Sequence, residues 1–190
     1  MDLLRTPPPA ERADAARNRA AVLAAAARLF AQHGVAAVSM DQVAAAAGVG
    51  KGTLFRRFGD KSGLAVALLD AREQELQEAI LHGPPPLGPG ADPGARLAAF
   101  AGAYLSYLLE HLDLVRMSET ASPGARYRIG AYRFWHRHAA ILLAGAPDPD
   151  YAAHAILAPL AADHVAGVLP ELGEERLRAG IIELACSMMP

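Results

Sequence analysis

Residues 39–61 constrain this chain more than any other stretch. Ser39 opens a short apolar segment, and Gln42 stands three positions on, the pairing of a capping box. Val43 and Ala47 share one face, Gly48 interrupts, and Val49 plugs the turn. A second segment then runs from Lys51 to Phe58, with Leu54 and Phe58 at i, i+4 to hold it down. Asp60 stands ready to cap whatever follows. Two short helices joined by a glycine turn predict a helix-turn-helix, whose second helix fits the DNA major groove.

The flanking pattern agrees. Arg12 to His33 reads as a helix, with Leu23, Ala26, Ala27 and Phe30 on one face and Gly34 as its stop. A fourth helix runs from Asp60 to about Leu81 through Leu64, Leu68, Leu76 and Ile80. The run from Gly83 to Gly94 holds five prolines and predicts a flexible loop. Further apolar helices are expected over 95–112, 113–120, 125–144, 149–169 and 174–189, with Pro159 kinking the fourth of them. The fold class is therefore all-α: a disordered arm at 1–11, a DNA-binding domain at 12–60, a connecting helix at 61–82, the loop at 83–94 and a helical body at 95–190.

Charge follows the same division. Residues 1–62 carry nine Lys/Arg against five Asp/Glu, while residues 63–190 carry nine against fifteen. A basic end on an acidic body suits contact with phosphate. Lys51 can reach a base edge or a phosphate, Thr53 and Ser39 offer hydroxyls, and Arg56 and Arg57 reach the backbone or a guanine. Gly50 and Gly52 keep the helix slim. Lys61, on the first turn of the next helix, is expected to clamp a phosphate there. Gly50-Lys51 is not a P-loop: Ala45 stands where its first glycine belongs, Gly52 where Ser or Thr belongs.

Catalytic and metal readings find little to hold. Cys186 is the only cysteine, which excludes an intrachain disulfide and suits a reducing, cytoplasmic setting. His136 and His138, at i and i+2, point to different faces and cannot chelate together. No Glu-x-x-His and no nucleophile triad emerges, so neither an enzyme, a metal nor a cofactor is expected. No stretch reaches about 18 apolar residues, so no membrane span is expected.

Residues 19–68 resemble the TetR family of bacterial regulators: Val22-Leu23, Ala26-Ala27, Leu29-Phe30, Gly34, Ser39-Met40, Val43-Ala44, Ala47-Gly48-Val49, Gly52-Thr53-Leu54-Phe55, Phe58 and Lys61. The chain departs from that pattern at Gly50, where Ser or Thr is usual, and at Phe55, where Tyr is usual. The resemblance implies a homodimer whose first three helices bind a palindromic double-stranded operator and whose later helices pair the subunits and enclose a small-molecule pocket. Tyr132 to His138 and Leu157 to Asp163 also resemble one effector-domain subgroup, which names no ligand. Family geometry places Phe100, Tyr104, Tyr107, Met117, Tyr127, Trp135, His136, Asp163 and His164 as candidates for that pocket. The expected function is a repressor released from its operator by a ligand. The alternative is a regulator with a filled body and no inducer, or an activator. A void no larger than a few waters would favour the filled body.

Overall fold

In the computed structural model, residues 9–189 are described, with side chains from Asp14 onward. Of the expected arm, residues 9–11 are helical, and residues 1–8 lie outside the described part. All regular structure among the described residues is helical, in two compact units that divide after Leu68.

The first unit holds α1 (Pro9–His33), α2 (Met40–Ala47), α3 (Lys51–Phe58) and the opening turns of α4 (Lys61–His82). The buried face of α1 is Val22, Ala25, Ala26 and Phe30, with Leu29 half-buried and Ala27 exposed. It is thus turned about one residue from the expected face. Val35, Val38, Val43, Leu54, Leu64 and Ala65 complete this small core. The turn between α2 and α3 follows from one glycine. Gly48 sits at φ 66, and the Gly48 and Val49 N–H groups donate to the Ala45 and Ala44 carbonyls, a Schellman closure that only Gly enters without strain. Ser39 Oγ accepts from Gln42 N at 3.2 Å, and Gln42 Oε1 accepts from Ser39 N at 2.8 Å, so the capping box forms as predicted. Ser39→Ala is expected to lower the stability of this unit by about 1 kcal/mol in a urea melt. A loss near zero would mean the box contributes nothing. Asp60 Oδ1 accepts from Gly63 N at 2.9 Å and caps α4.

The second unit holds the rest of α4 and α5 (Pro93–Glu110), α6 (Leu112–Glu119), α7 (Ala125–Arg128), α8 (Gly130–Leu142), α9 (Pro149–Leu157) and α10 (Ala162–Ser187). Helix α5 packs against α10 and α8, and α8 against α9, around Leu97, Phe100, Leu105, Trp135, Ile156 and Leu160. The proline-rich stretch is a folded turn rather than a flexible loop. Gly88 N donates to Pro84 O at 3.0 Å, Leu87 packs on the core, and Asp92 caps α5 with Pro93 in its first turn.

Two of the expected helices are broken. Ile129, at φ −68 and ψ 135, separates α7 from α8. Pro159 does more than kink its helix: a short 3-10 turn, Ala158–Leu160, follows α9, extended Ala161 ends it, and α10 departs at 53°. Gly173, at φ 72 and ψ 162, then divides α10 where a boundary is expected. Among the described residues no single helix is long and apolar enough to cross a membrane.

Candidate nucleic-acid interface and body cavity

Helix α3 is held from one side only. Leu54 is 1% exposed and Phe58 half-buried, while Gly52, Thr53, Phe55 and Arg56 all lie on the solvent side. No heavy atom lies within 4 Å of where a Gly52 Cβ would stand, so nothing of the protein occupies that approach. Gly50 caps the helix without a side-chain hydrogen bond, leaving its first N–H groups available to an anion. Phe55 is 45% exposed and offers apolar surface where a hydroxyl would be usual.

The cations around α3 divide by what already holds them. Arg56 is exposed and makes no hydrogen bond or ion pair with another described residue. Lys51 is paired with Asp41, both exposed, a weak tie that a phosphate can replace. Arg57 donates to the Ala15 carbonyl at 2.9 Å and ties α3 to α1. Lys61 corrects the sequence expectation. Its Nζ donates to the carbonyls of Val35 at 2.9 Å, Ala36 at 3.1 Å and Val38 at 2.9 Å. An ammonium has three protons, and all three are engaged in latching the α1–α2 connection. Ser39 likewise serves α2, and its hydroxyl is engaged with Gln42.

In the second unit the predicted aromatics meet but leave little room. Phe100, Tyr104 and Trp135 are at most 2% exposed and Tyr107 8%. Tyr104 lies 5.5 Å from Trp135, 5.9 Å from Phe100 and 6.0 Å from Tyr107, between ring centroids. The void beside them is about 10 Å³, space for one water. An open groove of about 750 Å³ runs along α4 to Gly83.

Several expected pocket residues lie elsewhere. Asp163 is exposed and pairs with Arg116 at 2.8 Å, and His164 is exposed on α10. Tyr127 is 57% exposed, its ring edge-on to Tyr132 of α8 at 5.1 Å between centroids. His136 packs tilted against His154 with centroids 4.1 Å apart, and Met117 is half-buried outside the void's wall. His138 is buried against Phe100 with its Nε2 unpartnered, and burial lowers its pKa to about 4, keeping it neutral.

Sequence reasoning missed the polar half of the wall: Glu73, Ser118, Glu119 and Tyr132. Arg126 stands behind it, 7% exposed. Its Nη1 donates to both Glu119 oxygens at 2.9 and 3.0 Å and to Leu160 O at 3.0 Å, and its Nη2 donates to Leu157 O at 2.7 Å. Glu119 also accepts Ala162 N–H at 2.8 Å, capping α10. One buried pair thus closes the carbonyl end of α9 and the amide end of α10. Burial still holds the Glu119 carboxyl above its ordinary pKa. Glu73, half-buried, accepts a hydrogen bond from Tyr107 Oη at 3.1 Å, and burial raises its carboxyl pKa too. The signal that could have found Arg126 is its place in a chain segment where only a salt bridge can satisfy two helix ends, which a sequence does not display.

Comparison with known proteins agrees with this arrangement. The family described as "Bacterial regulatory proteins, tetR family" matches residues 22–68. An HTH-type transcriptional regulator of Staphylococcus aureus strain USA300 is 38% identical over 71 residues. That match covers 37% of this chain and 37% of the relative, little over a third of its length. Among solved structures, a TetR-family transcriptional regulator from Pectobacterium atrosepticum is 27% identical, with a TM-score of 0.64, over 95% of this chain and 94% of that one. A transcriptional regulator of the TetR/AcrR family from Thermobifida fusca is 22% identical with a TM-score of 0.63, over 88% of this chain and 96% of that one.

Proposed function

As a member of the TetR family of bacterial regulators, with that family's helix-turn-helix at residues 22–68, the protein is, we propose, a cytoplasmic repressor that binds a palindromic operator as a homodimer and leaves it when a small molecule enters the body. The observation that carries the DNA half is the one-sided anchoring of α3, with Arg56 unpaired among the described residues and Gly52 bare on its open face. Two such helices about 34 Å apart would read successive major grooves. Small residues left open on α10, Gly167 and Gly180, beside Leu184 at 37% exposure, support pairing with a second copy.

Selecting bound fragments from random DNA with the purified protein tests this. The expected consensus is an inverted repeat with half-sites one helical turn apart, and no enrichment overturns the reading. Arg56→Ala is expected to weaken operator binding about tenfold and to lower the slope of log affinity against log salt by about 1 per subunit. An unchanged slope removes Arg56 from the interface.

The filled-body reading has an observation of its own, the void of about 10 Å³. Against it stands the chemistry of the wall. A body built only to be solid is most cheaply filled with apolar side chains, whereas this one brings two carboxylates, a serine and three tyrosines to a single void. The ligand-responsive reading therefore stands first.

A further inference from the structure

We infer that the molecule taken by the body is an organic cation, an ammonium group carried on an aromatic or branched apolar frame. This rests on the ligand-responsive reading and names the ligand class for that same void.

The charge of the wall is the first ground. Glu73 and Glu119 both line the void, and one cation, Arg126, stands behind it. Arg126 is committed to Glu119 and to the carbonyls of Leu157 and Leu160. Among the described residues Glu73 receives one hydrogen bond, from Tyr107, and pairs with no cation. Asp70 and Glu119 add repulsion to its burial. A partly desolvated carboxylate beside like charges is costly, and the cost is relieved when a cation arrives.

The second ground is independent. Tyr104 is 2% exposed and lines the void, and no described residue hydrogen-bonds its hydroxyl. That hydroxyl meets space for one water and is a second acceptor for an ammonium proton. The rings of Tyr104, Tyr107 and Trp135, with successive centroids 6.0 and 5.5 Å apart, offer the π-faces that attract cations. An anion would have to strip Arg126 from Glu119, and a neutral molecule would leave Glu73 unpaired.

The void as it stands holds one water, so the bound form is a rearranged one. Glu73, like Ile129 of the same wall, is only half-buried. Glu73 also lies on α4, whose first turns belong to the DNA-binding unit, so displacing it acts on a helix common to both units.

Trp135 is the only tryptophan and reports directly on this wall. The full chain is titrated with phenethylammonium, whose N–H groups can donate, with propylbenzene, which has nearly the same shape without charge, and with the anion phenylacetate. Trp135 emission and release of operator DNA are followed together. The expected result is a saturable emission change with the cation at least about tenfold tighter than with the neutral probe. Glu73→Gln, whose amide oxygen still accepts from Tyr107, is expected to abolish that preference. Tyr104→Phe, which keeps the ring, is expected to halve it or more. Equal affinity for the neutral probe, preference for the anion, or a preference that survives Glu73→Gln overturns the inference. If a neutral or anionic probe binds and releases DNA, the cation class falls and the ligand-responsive reading survives. If no probe binds, the cation class falls.

Discussion

Replacing Arg126 with alanine is expected to lower the unfolding free energy of the body by about 3–5 kcal/mol, the range for breaking a buried ion pair from one side. The substitution strands Glu119, whose side chain is 7% exposed, and leaves the Leu157 and Leu160 carbonyls without their donor. Arg126→Lys is expected to recover little, because one ammonium cannot reproduce a planar fork that reaches a carboxylate and two carbonyls at once. Removing both charges is milder. In Arg126→Met with Glu119→Gln, the amide oxygen still caps Ala162, and at least half of the loss should return. Urea melts at neutral pH measure all three. An Arg126→Ala loss below about 1 kcal/mol would mean water replaces the guanidinium, and the pair would not be structural.

The same experiment carries a pH signature. Burial holds the folded Glu119 carboxyl above its unfolded pKa even beside Arg126. A carboxyl raised in this way binds its proton more readily folded than unfolded. Its ionised form therefore costs stability as pH rises through the folded value, and that cost fades as pH falls. Without Arg126 the elevation grows. The deficit of Arg126→Ala should be largest at alkaline pH and should shrink in acid, where Glu119 becomes neutral.

The local rules of the chain were legible where one residue decides the backbone. Gly34, Gly48 and Gly59 stop helices at positive φ, Ser39 with Gln42 and Asp60 start them, and all these positions are visible in sequence. The break at Ile129 was not, because isoleucine does not forbid a helix. The one ending at Ala161 was legible through Pro159 as a kink but not as a full stop, and the Arg126–Glu119 pair satisfies the ends it exposes. The candidate site divides in the same way. Tyr104, Tyr107 and Trp135 were legible as bulky apolar surface at helical spacing. Glu73 and Glu119 read as ordinary solvated charges, since burial depends on neighbours more than 30 residues away. Asp163 and His164 erred in the opposite sense: polar residues beside an apolar stripe, they face solvent once α10 leaves α9 at its own angle.

Lys61 carries the second large effect, and it separates a structural latch from a phosphate clamp. Lys61→Met keeps the apolar stem and removes the ammonium. The carbonyls of Val35, Ala36 and Val38 then lose their common donor, and with it the closure of the α1–α2 connection. Hydrogen bonds from a charged group are worth about 1.5–3 kcal/mol each. Lys61 is half-exposed, though, and water takes over part of each bond. A net loss of about 2 kcal/mol from the DNA-binding unit is expected. Amides of residues 34–39 should exchange faster, because that connection opens first. Operator affinity should fall only as far as the folded fraction falls, with the salt slope unchanged, whereas Arg56→Ala lowers the slope and spares stability. A slope reduced by about 1 with an unchanged urea midpoint would reverse the assignment. The ammonium would then leave its three carbonyls for a phosphate when DNA arrives, and the latch would belong to the free protein alone.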